Sequence, residues 1–117
     1  YNSGLAHAVF YALTSYPVIE KLHLHGEVVG FGVLLALLVD RQEEEFEKIY
    51  KLNREIGLPV SLKEIEITED EWEESMNRIP EMSDVAHYPY RVTKEMLRDA
   101  MDRLKERAGK DAYDTEK

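Results

Sequence analysis

The stretch from Val28 to Val39 constrains this chain more than any other: 12 residues, every one apolar or glycine. A helix at a protein surface keeps one polar face, whereas a helix that is apolar all round must be enclosed on every side. Twelve residues fall short of the ~20 needed to span a bilayer, and Asp40, Arg41, Gln42 and Glu43 end the run abruptly. The segment therefore reads as a buried core helix, starting around Leu22 to Gly26 and running to about Arg41. Gly30 and Gly32 within it cost roughly 1 kcal/mol each relative to alanine, which is tolerable where another backbone packs close.

The other elements are shorter and better punctuated. Leu5, Ala6, Ala8, Val9, Phe10, Tyr11, Ala12 and Leu13 form a first helix with almost no polar face, with Ser3 as its expected N-cap and Pro17 marking its exit. Residues 43–56 carry an amphipathic stripe of Phe46, Ile49, Tyr50, Leu52 or Asn53, and Ile56. Gly57 fits the C′ position after that helix, and Pro59 prevents its continuation. A short turn over 61–65 precedes Thr68, which with Glu71 forms the capping-box pattern of a helix over 69–79. Pro80, Ser83, Asp84 and Pro89 mark residues 80–91 as a loop. Thr93 caps a last helix to about Ala108, with Met96, Leu97, Ala100, Met101 and Leu104 on one face. The expected architecture is an all-α bundle of about five helices over residues 1–108, followed by a frayed, charged tail over 109–117.

The chain has 117 residues, enough for one core and too few for two. Its formal charge is −9, from 24 acidic against 15 basic residues. That balance repels nucleic acid and anionic membranes, and no basic patch offsets it. The chain has no cysteine, so thiolate metal sites and cysteine nucleophiles are excluded. Any metal must be held by His, Asp or Glu. No secretory pattern opens the chain, and a cytoplasmic location is expected. Because the first residue is Tyr1 and a helical pattern begins almost at once, the chain is expected to be part of a longer protein.

Two histidines, His7 and His25, stand beside small residues at the edges of the first two helices, where each could point into the space between them. Neutral imidazole is the commonest metal-ligating side chain. Their separation of 18 residues matches no general zinc motif. Spacing alone leaves an alternative, with His7 a core histidine bonded to a backbone carbonyl and His25 a helix-start residue. His23 shares a face with His25 only if the segment is extended, and His87 lies in the loop before the last helix; both read as packing or surface residues. Gly30, Phe31 and Gly32 are not a dinucleotide fingerprint, because Leu35 occupies the third glycine's place inside a helix. The acidic residues at 43–45 and 69–74 lie on first turns, where they oppose the helix dipole, and read as solvated faces. No Ser-His-Asp arrangement can be assigned.

Four stretches together carry a resemblance: Gly4 to Ala8 with Leu13 and Thr14; His25 to Gly32; Gly57 to Leu62; and Val92 with Thr93. In order and spacing the chain resembles the carboxy-terminal helical domain of the glycerol dehydrogenase branch of the iron-containing alcohol dehydrogenases, a fold shared with the dehydroquinate synthases. The resemblance implies that His7 and His25 are two ligands of a divalent metal, zinc or iron. It further implies a third ligand, an aspartate, upstream of this chain, and a preceding nucleotide-binding domain that holds NAD or NADP. One departure stands out. Phe10, Tyr11 and Ala12 replace a His-Asn-Gly common in the family, which makes a polar pocket wall aromatic and weakens the case for glycerol itself as substrate. His87 falls near a family histidine, but Tyr88 follows it in place of the usual asparagine, and it carries no assigned role.

The implied activity is metal-dependent oxidation of a secondary alcohol or polyol by hydride transfer to NAD(P), performed by the longer protein and not by this chain alone. A homo-oligomer is expected. The alternative function is a non-catalytic helical interaction or oligomerisation domain, driven by an exposed apolar surface. A lyase of the dehydroquinate synthase type would need phosphate-binding basic residues, which are not found near either histidine.

Overall fold

A computed structural model describes the backbone of residues 3–16, 25–82, 85 and 90–116. The expected exit at Pro17, and both His23 and His87, lie outside the described residues. Among the described residues there are five long helices: α1 (Ser3–Thr14), α2 (His25–Val39), α3 (Glu43–Ile56), α4 (Glu69–Arg78) and α5 (Lys94–Glu116). A 3₁₀ turn, Ile79–Glu81, follows α4. No strand occurs among the described residues, in keeping with the all-α expectation.

Helix α2 is the centre of the bundle, with α1, α3 and α5 packed around it. Val28, Phe31, Leu34, Leu35, Ala36, Leu37, Leu38 and Val39 are all buried. Each large side chain taken out of water stabilises the fold by roughly 1.5–3 kcal/mol, which outweighs the cost of two glycines. Helix α4 closes the bundle against α1 and α5, burying Trp72, Ser75 and Met76. Leu97, Ala100, Met101 and Leu104 are the buried face of α5.

The ends of the elements follow local chemistry. At Thr68 the capping box is complete: the Glu71 N–H donates to Thr68 Oγ1 (3.1 Å) and the Thr68 N–H donates to Glu71 Oε1 (2.9 Å). Thr93 caps α5, accepting from the Met96 N–H at 3.2 Å. Three segments end in the same αL reversal, in which one N–H reaches back five residues and the N–H before it three. Gly57 (φ 83°) ends α3, Arg41 (φ 59°) ends α2, and Glu66 (φ 60°) ends the turn over 61–66. The reach-back bonds are Leu58 N–H to Asn53 O, Gln42 N–H to Leu37 O and Ile67 N–H to Leu62 O. Only the glycine was legible as a stop signal, because arginine and glutamate carry no preference for αL and are held there by the burial of the segments on either side.

Several expectations are corrected. Ser3 is the first helical residue of α1 and not its cap. The loop expected from Pro80 begins later, since Pro80 sits in the 3₁₀ turn, which needs no N–H from it. Helix α5 passes Ala108 and Gly109 and runs to Glu116, so the segment expected as a frayed tail is helical. One glycine costs about 1 kcal/mol, too little to end a helix whose flanking residues are good helix formers. On α3 the buried stripe is Phe46, Tyr50 and Asn53, while Leu52 and Ile56 are 47% and 61% exposed. Asn53 packs beside Gly30 on α2.

The acidic residues of α3 and α4 are largely exposed, as expected, and several of them also pair with the basic edge of α5. Glu73 pairs with Lys94 (2.7 Å) and Arg98 (3.1 Å), and Glu69 with Lys105 (2.6 Å). On the α3 side Glu43 pairs with Arg103 and Glu47 with Arg107. The Arg107 guanidinium also lies 4.5 Å from the centre of the Tyr50 ring. Such exposed pairs are worth ~0–1 kcal/mol each; they set the alignment of α5 more than they stabilise it.

Two outcomes are expected. Arg41→Gly relieves a left-handed residue whose side chain is exposed and should raise stability by about 0.5–1 kcal/mol, with Glu66→Gly acting similarly, as read by thermal or urea unfolding. A loss of stability in either variant would contradict the reversal geometry. The hydrogen bond from Lys94, with Arg98 beside it, holds the Glu73 carboxyl below the usual 4.5. Its contribution is present above that value and is lost as pH falls through the lowered one. Glu73→Gln should therefore be less stable than the parent at pH 6, with the difference closing in acid.

Candidate metal centre

Helix α1 presents one narrow face outward. His7, Tyr11 and Ser15 are exposed, spaced four residues apart, while Leu5, Ala6, Ala8, Val9, Ala12 and Leu13 are buried. The helical period aligns positions four apart on one face, so His7 and Tyr11 form a single outward stripe. Tyr11 is 55% exposed and meets Phe10 edge to face, with ring centroids 5.5 Å apart. The expectation that His7 points into a closed seam between two helices is corrected: an ion held by it would lie at an open face.

The C-terminal end of α1 is tied to α4. The Tyr16 hydroxyl lies 3.0 Å from the Glu71 carbonyl oxygen and 2.9 Å from Glu74 Oε1. Arg78 Nη1 donates to Ser15 Oγ at 3.1 Å. Burial, reinforced by the Glu74 carboxylate and opposed by the Ser75 hydrogen bond, raises the Tyr16 phenol above its ordinary 10.0, so it stays protonated and able to donate. These contacts fix the rotation of α1 about its axis, and with it the outward position of His7.

His25 is the first residue of α2. The two helices approach closely beside His7: a Cβ placed on Gly32 would stand 2.8 Å from the carbonyl oxygen of Ala6, the residue before His7. From Gly32 back to His25 is about 10 Å along the helix axis, at ~1.5 Å per residue.

Two imidazoles suit a borderline divalent ion such as zinc or iron. Among the described residues no three His, Asp or Glu side chains converge, and catalytic zinc sites use three protein ligands. The donor type fits; the number is one short. Grooves occur elsewhere, including one of about 240 Å³ between α3 and α5 over Leu38 and Phe46, but it has no residue of α1 in its wall. Among the described residues no helix is long and apolar enough to cross a membrane.

Tyr11 was the residue hardest to place from sequence. Its spacing from His7 was visible, but a helix that looked apolar on every side gave no sign of which face would be left uncovered.

No protein-family model matches the chain. Part of it is homologous to glycerol dehydrogenases. It is 42% identical over 67 residues to the glycerol dehydrogenase of Pseudomonas putida, a stretch covering 56% of this chain and 18% of that enzyme. The glycerol dehydrogenase of Escherichia coli O6:H1 is 39% identical over 72 residues, covering 59% of this chain and 19% of the enzyme. That of Thermotoga maritima is 44% identical over 69 residues, covering 55% and 18%. The chain thus spans about a fifth of the length of these curated relatives.

Proposed function

We propose that this chain is the helical, metal-binding part of an NAD(P)-linked polyol or alcohol dehydrogenase, with His7 and His25 as two ligands of a divalent ion. The observation that carries this is the partial homology to glycerol dehydrogenases from three bacteria, joined to an outward His7 beside a close backbone approach of α1 and α2. The third ligand, an aspartate, and the domain for the nicotinamide cofactor are not among these 117 residues.

When bound, the ion supplies a Lewis acid that lowers the pKa of a substrate hydroxyl and so favours hydride transfer to a nicotinamide ring. The chain's own residues bind and orient. His7 offers a donor from the rigid, buried-on-three-sides α1. His25 would be the second ligand, from the first position of α2. Tyr11, one turn from His7, walls the same face with an aromatic ring, which suits an alcohol bearing an apolar substituent better than glycerol. An exposed metal face also fits a site completed by another domain.

The second reading, a non-catalytic helical interaction module, is favoured by the exposed Leu52 and Ile56, one turn apart on α3. The two readings separate in a zinc or cobalt titration of the purified chain. The metal-binding reading expects one weak site, weakened about ten-fold or more by His7→Ala and by His25→Ala, ~1.4 kcal/mol each. Binding unaltered by both substitutions would leave the interaction module. The chain alone should not oxidise glycerol or a diol with NAD; turnover by the purified 117-residue protein would overturn the proposal.

A further inference from the structure

The two proposed ligands stand on different helices, so the distance between them is set by how closely those helices pack. Of Gly30 and Gly32 in α2, only Gly32 lies at a backbone contact. A Cβ on Gly32 would meet the Ala6 carbonyl oxygen at 2.8 Å and the Ala6 Cα and carbonyl carbon at 3.4 and 3.5 Å. A Cβ on Gly30 would find only side-chain atoms, Asn53 Nδ2 and Leu58 Cδ1, both at 3.7 Å, which is ordinary contact. The obstruction at Gly32 is main chain, so no rotamer change relieves it; α1 itself must move.

We infer that Gly32 is a positioning residue of the metal centre, holding His7 at the separation from His25 that one ion requires. This rests on the reading of His7 and His25 as ligands. Ala6 directly precedes His7, so a shift of the backbone at Ala6 reaches the histidine undiminished. The other end of α1 is anchored on α4 through Tyr16 and Ser15, which makes α1 pivot at its histidine end when it is pushed. Metal–nitrogen distances tolerate only about ±0.2 Å, while clearing a 2.8 Å contact demands a displacement larger than that.

Gly30→Ala is the matched control, with the same helix and the same gain in propensity but no backbone clash. The test is a zinc titration of the 117-residue chain, run where circular dichroism shows each variant folded. To keep Gly32→Ala folded, all variants are made on the Arg41→Gly, Glu66→Gly background, whose changes lie away from α1. Gly30→Ala should bind zinc within about two-fold of its parent, and Gly32→Ala about ten-fold more weakly or worse, in the range of displaced supporting groups. In a His7→Ala background, Gly32→Ala should cause no further loss, because the ligand it positions is gone.

Wild-type affinity in folded Gly32→Ala would overturn the inference. So would an equal added loss in the His7→Ala background, which marks a general structural effect. Failure of the parent itself to bind zinc through His7 overturns the ligand reading, and the inference with it, and is distinguished by the parent titration alone.

Discussion

The enclosure of α2 is the constraint on which the remainder of the structure depends. A helix with no polar face has no stable place at a surface, so α1, α3 and α5 must each give up an apolar face to cover it. The covering helices then differ in what they have left over. On α1 almost everything is spent on the core, and what remains outward is a single stripe with His7 and Tyr11. The most apolar element thereby decides where the chemistry-bearing residues come to lie, without contributing a polar side chain of its own.

Close packing around such a helix needs places where backbones can touch, and α2 supplies one at Gly32. Gly30 is not such a place: a Cβ there would meet only side-chain atoms at ordinary contact distance. It lies beside Asn53, whose Nδ2 is buried without a hydrogen-bond partner among the described residues, a cost on the order of 1–3 kcal/mol. Two glycines that look equivalent in the chain therefore have unlike surroundings, one facing a backbone and the other side chains. The charge pattern works at longer range: acidic first turns on α3 and α4 suit their own helix dipoles and also meet the basic edge of α5 from both sides.

Much of the fold was legible because its signals are local. The capping residues Thr68 and Thr93, the stop at Gly57 and the all-round burial of α2 each follow from a few adjacent residues and the helical period. The misjudged features are those that need a neighbour. Arg41 and Glu66 adopt αL because packing on either side compels the chain to turn there. Of Leu52 and Asn53, both left open by the helical period, Asn53 is the one that packing buries. The ion pairs of Glu43, Glu69 and Glu73 depend on residues 21 to 60 positions away.

For the candidate metal centre the division is similar. Sequence by itself limited any metal-ligating side chains to His, Asp and Glu, through the absence of cysteine, and it carried the partial homology to glycerol dehydrogenases. Tertiary structure alone decided that His7 faces outward, that Tyr11 shares its face, and that Gly32 sets the gap between α1 and α2. The physical reason is that residue chemistry and helical period are properties of a short stretch of chain. Which face of a helix is covered, and how closely two backbones approach, are settled only when separate helices compete to bury the same apolar surface.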